Sequence, residues 1–255
     1  MKTLVIGEIA SAHDGYLAQA LRLIDVVADA GADVAKAEYW SDPDQLADRR
    51  QVPEKFREHY RRYAVPREWL PMLKARCDER EIGFMCTAYL AEDIAVVNLF
   101  VQQFKIAGFE VQDLAFVAAH QQFRKPMIAS VPLSVPKPSY IGARFLHVCQ
   151  SYPVALNDLH LGFIQRYGFD GFSDHSGWID VGGAAVLAGA RIIEAHVKLN
   201  DTDSANYDAG PHAHDPGRFA EYVGRIRLAE RMLGEGDKGQ AFACEADVGR
   251  YRVTA

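Results

Sequence analysis

Residues 169–199, FDGFSDHSGWIDVGGAAVLAGARIIEAHVKL, read as strand, helix, strand. A short apolar run ends on Ser173, Asp174 and His175. A Gly/Ala-rich helical segment follows, and then a β-branched run that carries Glu194, His196 and Lys198. Side chains alternate across a strand, so Glu194, His196 and Lys198 share one face, as do Ser173 and His175. Charges inside a buried strand are costly unless they are paired or bind something. One histidine placed this way is an ordinary hydrogen-bonded core residue. Two on consecutive strands, beside a glutamate and a lysine, mark a site.

The same unit recurs along the chain. Strands are expected at 3–10, 34–40, 83–89, 103–109, 126–131, 144–150, 169–174 and 191–199. Helices are expected at 16–30, 54–62, 66–81, 91–101, 111–123, 156–167, 177–189 and 216–233. Within the charge-rich stretch 41–65, Arg57, Arg61 and Arg62 are expected to face water. Residues 132–142 hold three prolines and no apolar stripe, too short for an ordinary parallel crossover. Eight strands alternating with helices in 255 residues predict an α/β fold, a closed (β/α)8 TIM barrel with its fifth helix missing or reduced. Residues 1–235 would form the barrel and 236–255 a tail. The outer faces of strands five and six would then need cover from the tail, with Phe242, Val248, Tyr251 and Val253, or from a second subunit. A homo-oligomer, a dimer, is the expectation.

Bulk properties narrow the function. With 49% hydrophobic and 24% charged residues the composition is that of a soluble globular protein. A net charge of −6 gives no basic surface for nucleic acid or anionic membrane. No run has the length of a bilayer span or of a signal peptide's apolar core. Cys77, Cys86, Cys149 and Cys244 are scattered without a CxxC pair, as expected of reduced thiols in a cytoplasmic protein.

Active sites of such barrels lie at the C-terminal ends of the strands. Glu8, Lys36, Glu38, Thr87, Lys105, Ser130, Gln150, Ser173, His175, Glu194 and His196 all map there. Lys36 and Lys105, on different strands, can converge on one phosphate or carboxylate, helped by the hydroxyls of Ser130 and Ser173. The alternative is a structural layer in which each lysine pairs with a glutamate such as Glu8 or Glu38. His175 and His196, with Glu8 or water in further positions, can hold a divalent metal. Mixed imidazole and carboxylate ligation suits manganese, iron or zinc better than calcium. The loop 200–215 should overhang the rim, bringing His212 and His214 towards a substrate; the alternative is a surface loop whose histidines touch nothing.

These motifs resemble the sialic acid synthase (NeuB-like) family, whose members condense phosphoenolpyruvate with an aldehyde sugar to form nonulosonic acids. EIASAHDG (8–15) is similar to the family's EIGxNHNG, GADVAKAE (31–38) to GADxVKxQ, and FMCTAYL (84–90) to FxSTPFD. KIAGFE (105–110) resembles KIxSGE, HVCQSYP (147–153) resembles HCTxxYP, and SDHSG (173–177) with IEAHVKLND (193–201) resembles SDHTxG and IEKHFTLD. The resemblance runs in order over roughly residues 3–238. It implies that His175 and His196 bind the metal, manganese foremost, with Glu8 beside it as an acid–base or water-orienting group. It further implies that Lys36, Lys105, Ser130 and Ser173 hold phosphoenolpyruvate, and that Glu110, Tyr152 and Glu194 line the path to the acceptor. Glu38, Thr87, Gln150 and His212 complete the expected substrate-facing set.

The departures are specific. Glu38 replaces the family's glutamine, Gly108 the serine of KIxSGE, Gln150 the asparagine of HCTN, and His212 the aspartate of GPD. The family's C-terminal antifreeze-like domain is not represented. The phosphoenolpyruvate half of the site is thus better kept than the acceptor half, which implies an acceptor other than N-acetylmannosamine. Two other readings stand beside this one: another metal-dependent barrel aldolase or isomerase, and a non-catalytic synthase-like scaffold.

Overall fold

The computed structural model describes residues 2–235 and Cys244. Eight parallel strands close a barrel in sequence order: β1 Leu4–Glu8, β2 Val34–Tyr39, β3 Gly83–Ala88, β4 Phe104–Ile106, β5 Met127–Pro132, β6 Ala143–Val148, β7 Gly171–Asp174 and β8 Ile192–His196. The ring closes where Ile6 stands opposite Glu194 and Glu8 opposite His196. Around it lie α1 Leu17–Asp29, α2 Pro43–Arg50, α3 Glu54–Tyr63, α4 Trp69–Glu79, α5 Ile94–Asn98, α6 Leu114–Gln121, α7 Gly162–Arg166, α8 Val181–Leu187 and α9 Pro216–Leu233. No helix among the described residues is long and apolar enough to cross a membrane.

Alternation along each strand sorts the interior into layers. At the N-terminal end Ile6, Val34, Met85, Ile128, Leu146 and Ile192 pack into an apolar plug. Gly171 belongs to this level because a Cβ there would lie 2.1 Å from the carbonyl oxygen of Ile192. Two residues further along the strands the interior turns polar, with Glu8, Lys36, Thr87, Lys105, Ser130, Ser173 and Glu194 all buried. The outward faces meet the helices in a separate, larger core that includes Val5, Leu23, Phe104, Phe172, Ile193 and Phe219.

Several elements differ from the sequence reading. The 41–65 stretch holds two helices, because Asp42 caps α2 by accepting from the amides of Asp44 and Gln45 at 2.9 Å each, with Pro43 opening the helix. Arg57 and Arg61 reach back to Asp44, at 3.2 and 2.6 Å, instead of facing only water. The expected helix at 156–167 is broken into a 3-10 turn, Leu156–Asp158, and the short α7, because His160 takes a left-handed φ of 46°. The expected helix at 177–189 shortens to α8.

No helix links β5 to β6. Segment 133–142 instead lies as a strap, with Val135 and Tyr140 packed on the core. The Tyr140 ring stands 5.8 Å from that of Phe145, and its hydroxyl donates to the Val111 carbonyl. Lys137 donates to the carbonyls of Tyr167 and Gly168 and lies over the rings of Phe145 and Phe169. The strap lies over Phe145, which is 6% exposed, while its own Ile141 is 92% exposed. The tail residues Phe242, Val248, Tyr251 and Val253, named above as a possible cover, lie outside the described residues.

Candidate active site

The polar layer floors a cavity of about 250 Å³ at the C-terminal mouth of the barrel. Of the residues expected at the rim, Glu8, Lys36, Glu38, Lys105, Ser130, Gln150, Tyr152, Ser173, His175, Glu194 and His196 line it. Three do not. Thr87 is fully buried beside Lys36, accepting from its ammonium at 3.3 Å. Glu110 is buried and accepts from Arg50, and His212 has its ring 5.1 and 5.0 Å from those of Tyr152 and His196.

Charge in the floor is balanced locally. Lys36 pairs with Glu8 and stands 3.7 Å from Glu194. Lys105 is 3.2 Å from Glu194 and donates to Ser130 at 2.9 Å. Ser173 donates to Glu194 at 3.0 Å, and Glu8 also accepts from the Ala10 amide at 2.8 Å. Burial pulls the Lys36 ammonium below its ordinary pKa, Glu194 resisting and Lys105 assisting. Burial also opposes the charge of Glu194, but Lys105, Lys36 and Ser173 outweigh it and bring that carboxyl down to about 2. Glu194 is the hub that lets two lysines stand side by side in a buried layer.

Above the floor the site is imidazole-rich. His175 is held by a contact of 2.9 Å between Nδ1 and the Cys149 carbonyl, and Tyr152 stacks on it at 4.1 Å. The rings of His175 and His196 stand 5.3 Å apart, edge to face. Burial pushes His175 down to about 4, and burial followed by His212 and His175 pushes His196 well below its ordinary value. Neutral imidazoles are the form that binds metals. His196, Asp208 and His212 each offer a ligand atom within 4.8 Å of the others. Among the described residues Nδ1 of His196 and both ring nitrogens of His212 are buried without a partner. This donor set fits a divalent transition metal.

The mouth was less legible in the sequence. Arg50, Phe56, His59 and Tyr60, all from α2 and α3, join Tyr89, Phe109 and Tyr207 in its wall. Arg50 donates to Glu110 at 2.9 and 2.6 Å. Burial disfavours its charge, yet Glu110, Tyr89 and Tyr60 overcome this and raise its pKa above the ordinary value. Burial raises the Glu38 carboxyl against Lys36, and the Tyr89 phenol donates to it. Lys198 leaves the face it shares with Glu194 and His196 and ties the following loop, donating to the carbonyls of Ala209 at 2.8 Å and Gly210 at 3.1 Å. Two departures from the family motifs fit each other: a Cβ at Gly108 would lie 2.7 Å from Nε2 of Gln150. The longer amide at 150 occupies the room that a residue larger than glycine would need at 108.

A family model described as the NeuB family matches residues 23–137 and 141–238, its two blocks parting within the strap. The chain is 28% identical over 266 residues to the pseudaminic acid synthase of Campylobacter jejuni, the match spanning 92% of this chain and 76% of that one. It is likewise 28% identical over 271 residues to the human N-acetylneuraminate-9-phosphate synthase, covering 94% and 74% of the two chains. Its fold superposes with a TM-score of 0.85 on the N-acetylneuraminic acid (sialic acid) synthetase of Leptospira borgpetersenii, solved with citrate, at 23% identity over 99% of this chain and 92% of that one. With a polar barrel mouth and a family match on both sides of the strap, the chain belongs to the NeuB family.

Proposed function

We propose that this protein is a cytoplasmic synthase that condenses phosphoenolpyruvate with a sugar-like aldehyde, giving a 2-keto-3-deoxy acid of the nonulosonic type and phosphate. The observation that carries the reading is the pair of buried lysines, Lys36 and Lys105, side by side beneath a rim of neutral histidines. Two cations this close are justified by an anionic ligand more readily than by stability, since buried ion pairs add little net stability.

In this reading phosphoenolpyruvate lies on the floor, its phosphate and carboxylate shared by Lys36, Lys105, Ser130 and Ser173. Its C3 attacks the aldehyde carbon, and the aldehyde oxygen takes a proton. Water adds at C2 and loses a proton, and the C2–O bond to phosphate breaks as the ketone forms. Lys36 also serves Glu8, so an anion that draws the ammonium away leaves that carboxylate buried with less compensation and promotes proton uptake there. Glu8 is thereby suited to exchange protons with the water or the aldehyde oxygen. Glu194, held charged by both lysines, keeps the floor rigid, and Gln150, Tyr152 and Glu38 face the acceptor. A divalent ion, manganese by preference, held by His175 and His196 would supply a Lewis acid for the aldehyde oxygen.

The test is phosphate release from phosphoenolpyruvate against a panel of aldehydes, with and without added manganese. Aldehyde-dependent release of one phosphate per keto acid formed is the expected result. An aldolase or isomerase would release none, and a scaffold would leave phosphoenolpyruvate intact with every acceptor.

A further inference from the structure

The loop after β8 carries more than a cover for the site. Asp208 is fixed at one oxygen: its Oδ2 accepts from the Ser11 amide at 3.1 Å and from the Ser11 hydroxyl. The neighbouring Asn206, buried, has its Oδ1 2.9 Å from that hydroxyl oxygen and donates to the Ser11 carbonyl at 2.7 Å and to Asp14 at 2.8 Å. Asp14 in turn accepts from the Asp203 amide at 2.8 Å. The loop is thus sewn to the end of β1, and Oδ1 of Asp208 is left directed at Nδ1 of His196, 3.7 Å away.

That separation is too long for a hydrogen bond. It is close to the roughly 3.3 Å between two ligands on one tetrahedral ion with bonds of about 2.0–2.1 Å. His212 completes the arrangement. It is 1% exposed, neither ring nitrogen has a partner among the described residues, and its ring lies 5.0 Å from that of His196. A buried imidazole with both nitrogens unsatisfied is destabilising. One nitrogen from each of His196 and His212 and a tethered carboxylate oxygen of Asp208, all within 4.8 Å of one another, make a ligand set for a cation.

We infer that Asp208 and His212 are themselves ligands of the divalent ion, forming with His196 a His–Asp–His set, and that Ser11 is the positioning residue that aims Asp208. The inference rests on the synthase reading only in taking this ion to be the one that serves the reaction. His175 keeps its Nδ1 on the Cys149 carbonyl and contributes at most Nε2. The metal is thereby drawn toward the loop side of the cavity, and its binding is coupled to the loop's closure on β1.

The test titrates the whole metal-free chain with Mn2+ alone, without phosphoenolpyruvate or aldehyde, by calorimetry and EPR, with Co2+ as a spectroscopic stand-in. Asp208→Asn and His212→Gln should each weaken Mn2+ binding by about tenfold or more, and Ser11→Ala by less. His212→Gln should also remove one ¹⁴N coupling from the Mn2+ ENDOR spectrum. Asp208→Asn should keep the nitrogens but shift the Co2+ d–d bands, and Asp208→Glu should restore part of the affinity. Asn at 208 still accepts from the Ser11 amide, and His212→Asn replaces His212→Gln should the latter melt early. Wild-type ENDOR and affinity in both His212 variants would overturn the inference. An unchanged Co2+ spectrum in Asp208→Asn would do the same, since Asp208 would then only orient His196. Phosphate release with ion binding indifferent to both residues sinks this inference alone. Ion binding as expected, without phosphate release, sinks only the synthase reading.

Discussion

The lower and upper halves of the barrel interior are built by the same strands and hold opposite chemistry. Below, Ile6, Val34, Met85, Ile128, Leu146 and Ile192 fill the space with hydrocarbon. Two positions further along the same strands stand Glu8, Lys36, Thr87, Ser130 and Glu194. The plug is stabilised by removing apolar surface from water, at about 25 cal/mol per Å². The layer above gains little from burial, because desolvation offsets most of the Coulomb attraction. Stability and function are therefore segregated by a single step of strand alternation, and each half should fail in its own way when altered.

The largest effect is expected at Lys36. Replacing it by methionine keeps the stem and removes the charge, leaving Glu8 buried without its cation. Stability should fall by about 3–5 kcal/mol, and turnover with phosphoenolpyruvate by roughly 100-fold or more. Adding Glu8→Gln should restore most of the stability and none of the turnover, as read by denaturant melts beside phosphate release. If the double variant regains activity, the floor is a structural ion-pair layer and the contrast between the halves is wrong.

The plug should respond in the opposite sense. Leu146→Ala should cost about 2–5 kcal/mol while leaving KM for phosphoenolpyruvate unchanged. Gly171→Ala should be at least as damaging, because the new Cβ meets a backbone oxygen at 2.1 Å and the side chain of Leu146 at 2.8 Å. Loss of phosphoenolpyruvate affinity at unchanged stability in either variant would show that the layers are not independent.

Acid titration sharpens the comparison with a smaller effect. Glu194 lies near 2 against an ordinary 4.5, so the stability it contributes is present above pH 4.5 and lost as pH falls towards about 2. His13, His175 and His214, which burial lowers to about 4 from 6.5, take up protons on unfolding between those values; their share is present above pH 6.5 and lost between there and about 4. Melting temperature should therefore decline in two stages on acidification. Glu194→Gln should flatten the lower stage, by on the order of 2 kcal/mol, and leave the upper one. A single stage centred on the ordinary carboxylate range would contradict the assignment.

Much of this was legible in the sequence because alternation is a local signal. Ile6 and Glu8, or Ile192 and Glu194, already show where a strand leaves the plug and enters the site. The final helix was legible to the residue, since Asp215 caps it and Pro216 opens it. The same signal, Asp42 before Pro43, was present for α2 but lay within a run of charges read as solvated. Arg50 could not be placed because its partner Glu110 is 60 residues away. Asp208 looks like any loop acid until folding brings it to Ser11, 197 residues earlier. Local capping and periodicity can be read along the chain, whereas pairing across the mouth depends on closure of the barrel.

The smallest effect should come from the strap, which belongs to neither half. Tyr140 lies on the outer face of the β5–β6 flank, its hydroxyl on the Val111 carbonyl and its ring against Phe145. Tyr140→Phe removes one hydrogen bond and keeps the ring, so the loss should be about 1 kcal/mol. Tyr140→Ala also uncovers Phe145, and because the ring is only partly buried the loss should stay below the roughly 3–5 kcal/mol of a core aromatic. Neither change touches the floor or the plug. KM for phosphoenolpyruvate and the acid profile should stay at their parental values in both variants, and the melting temperature should not depend on protein concentration. A concentration-dependent melt of the parent, abolished by Tyr140→Ala, would mean that this flank is covered by a second copy as well as by its own strap. A changed KM would mean that the strap, which leaves β5 just after Pro132, helps position Ser130. Either result would end the claim that the flank serves only to close the outer wall.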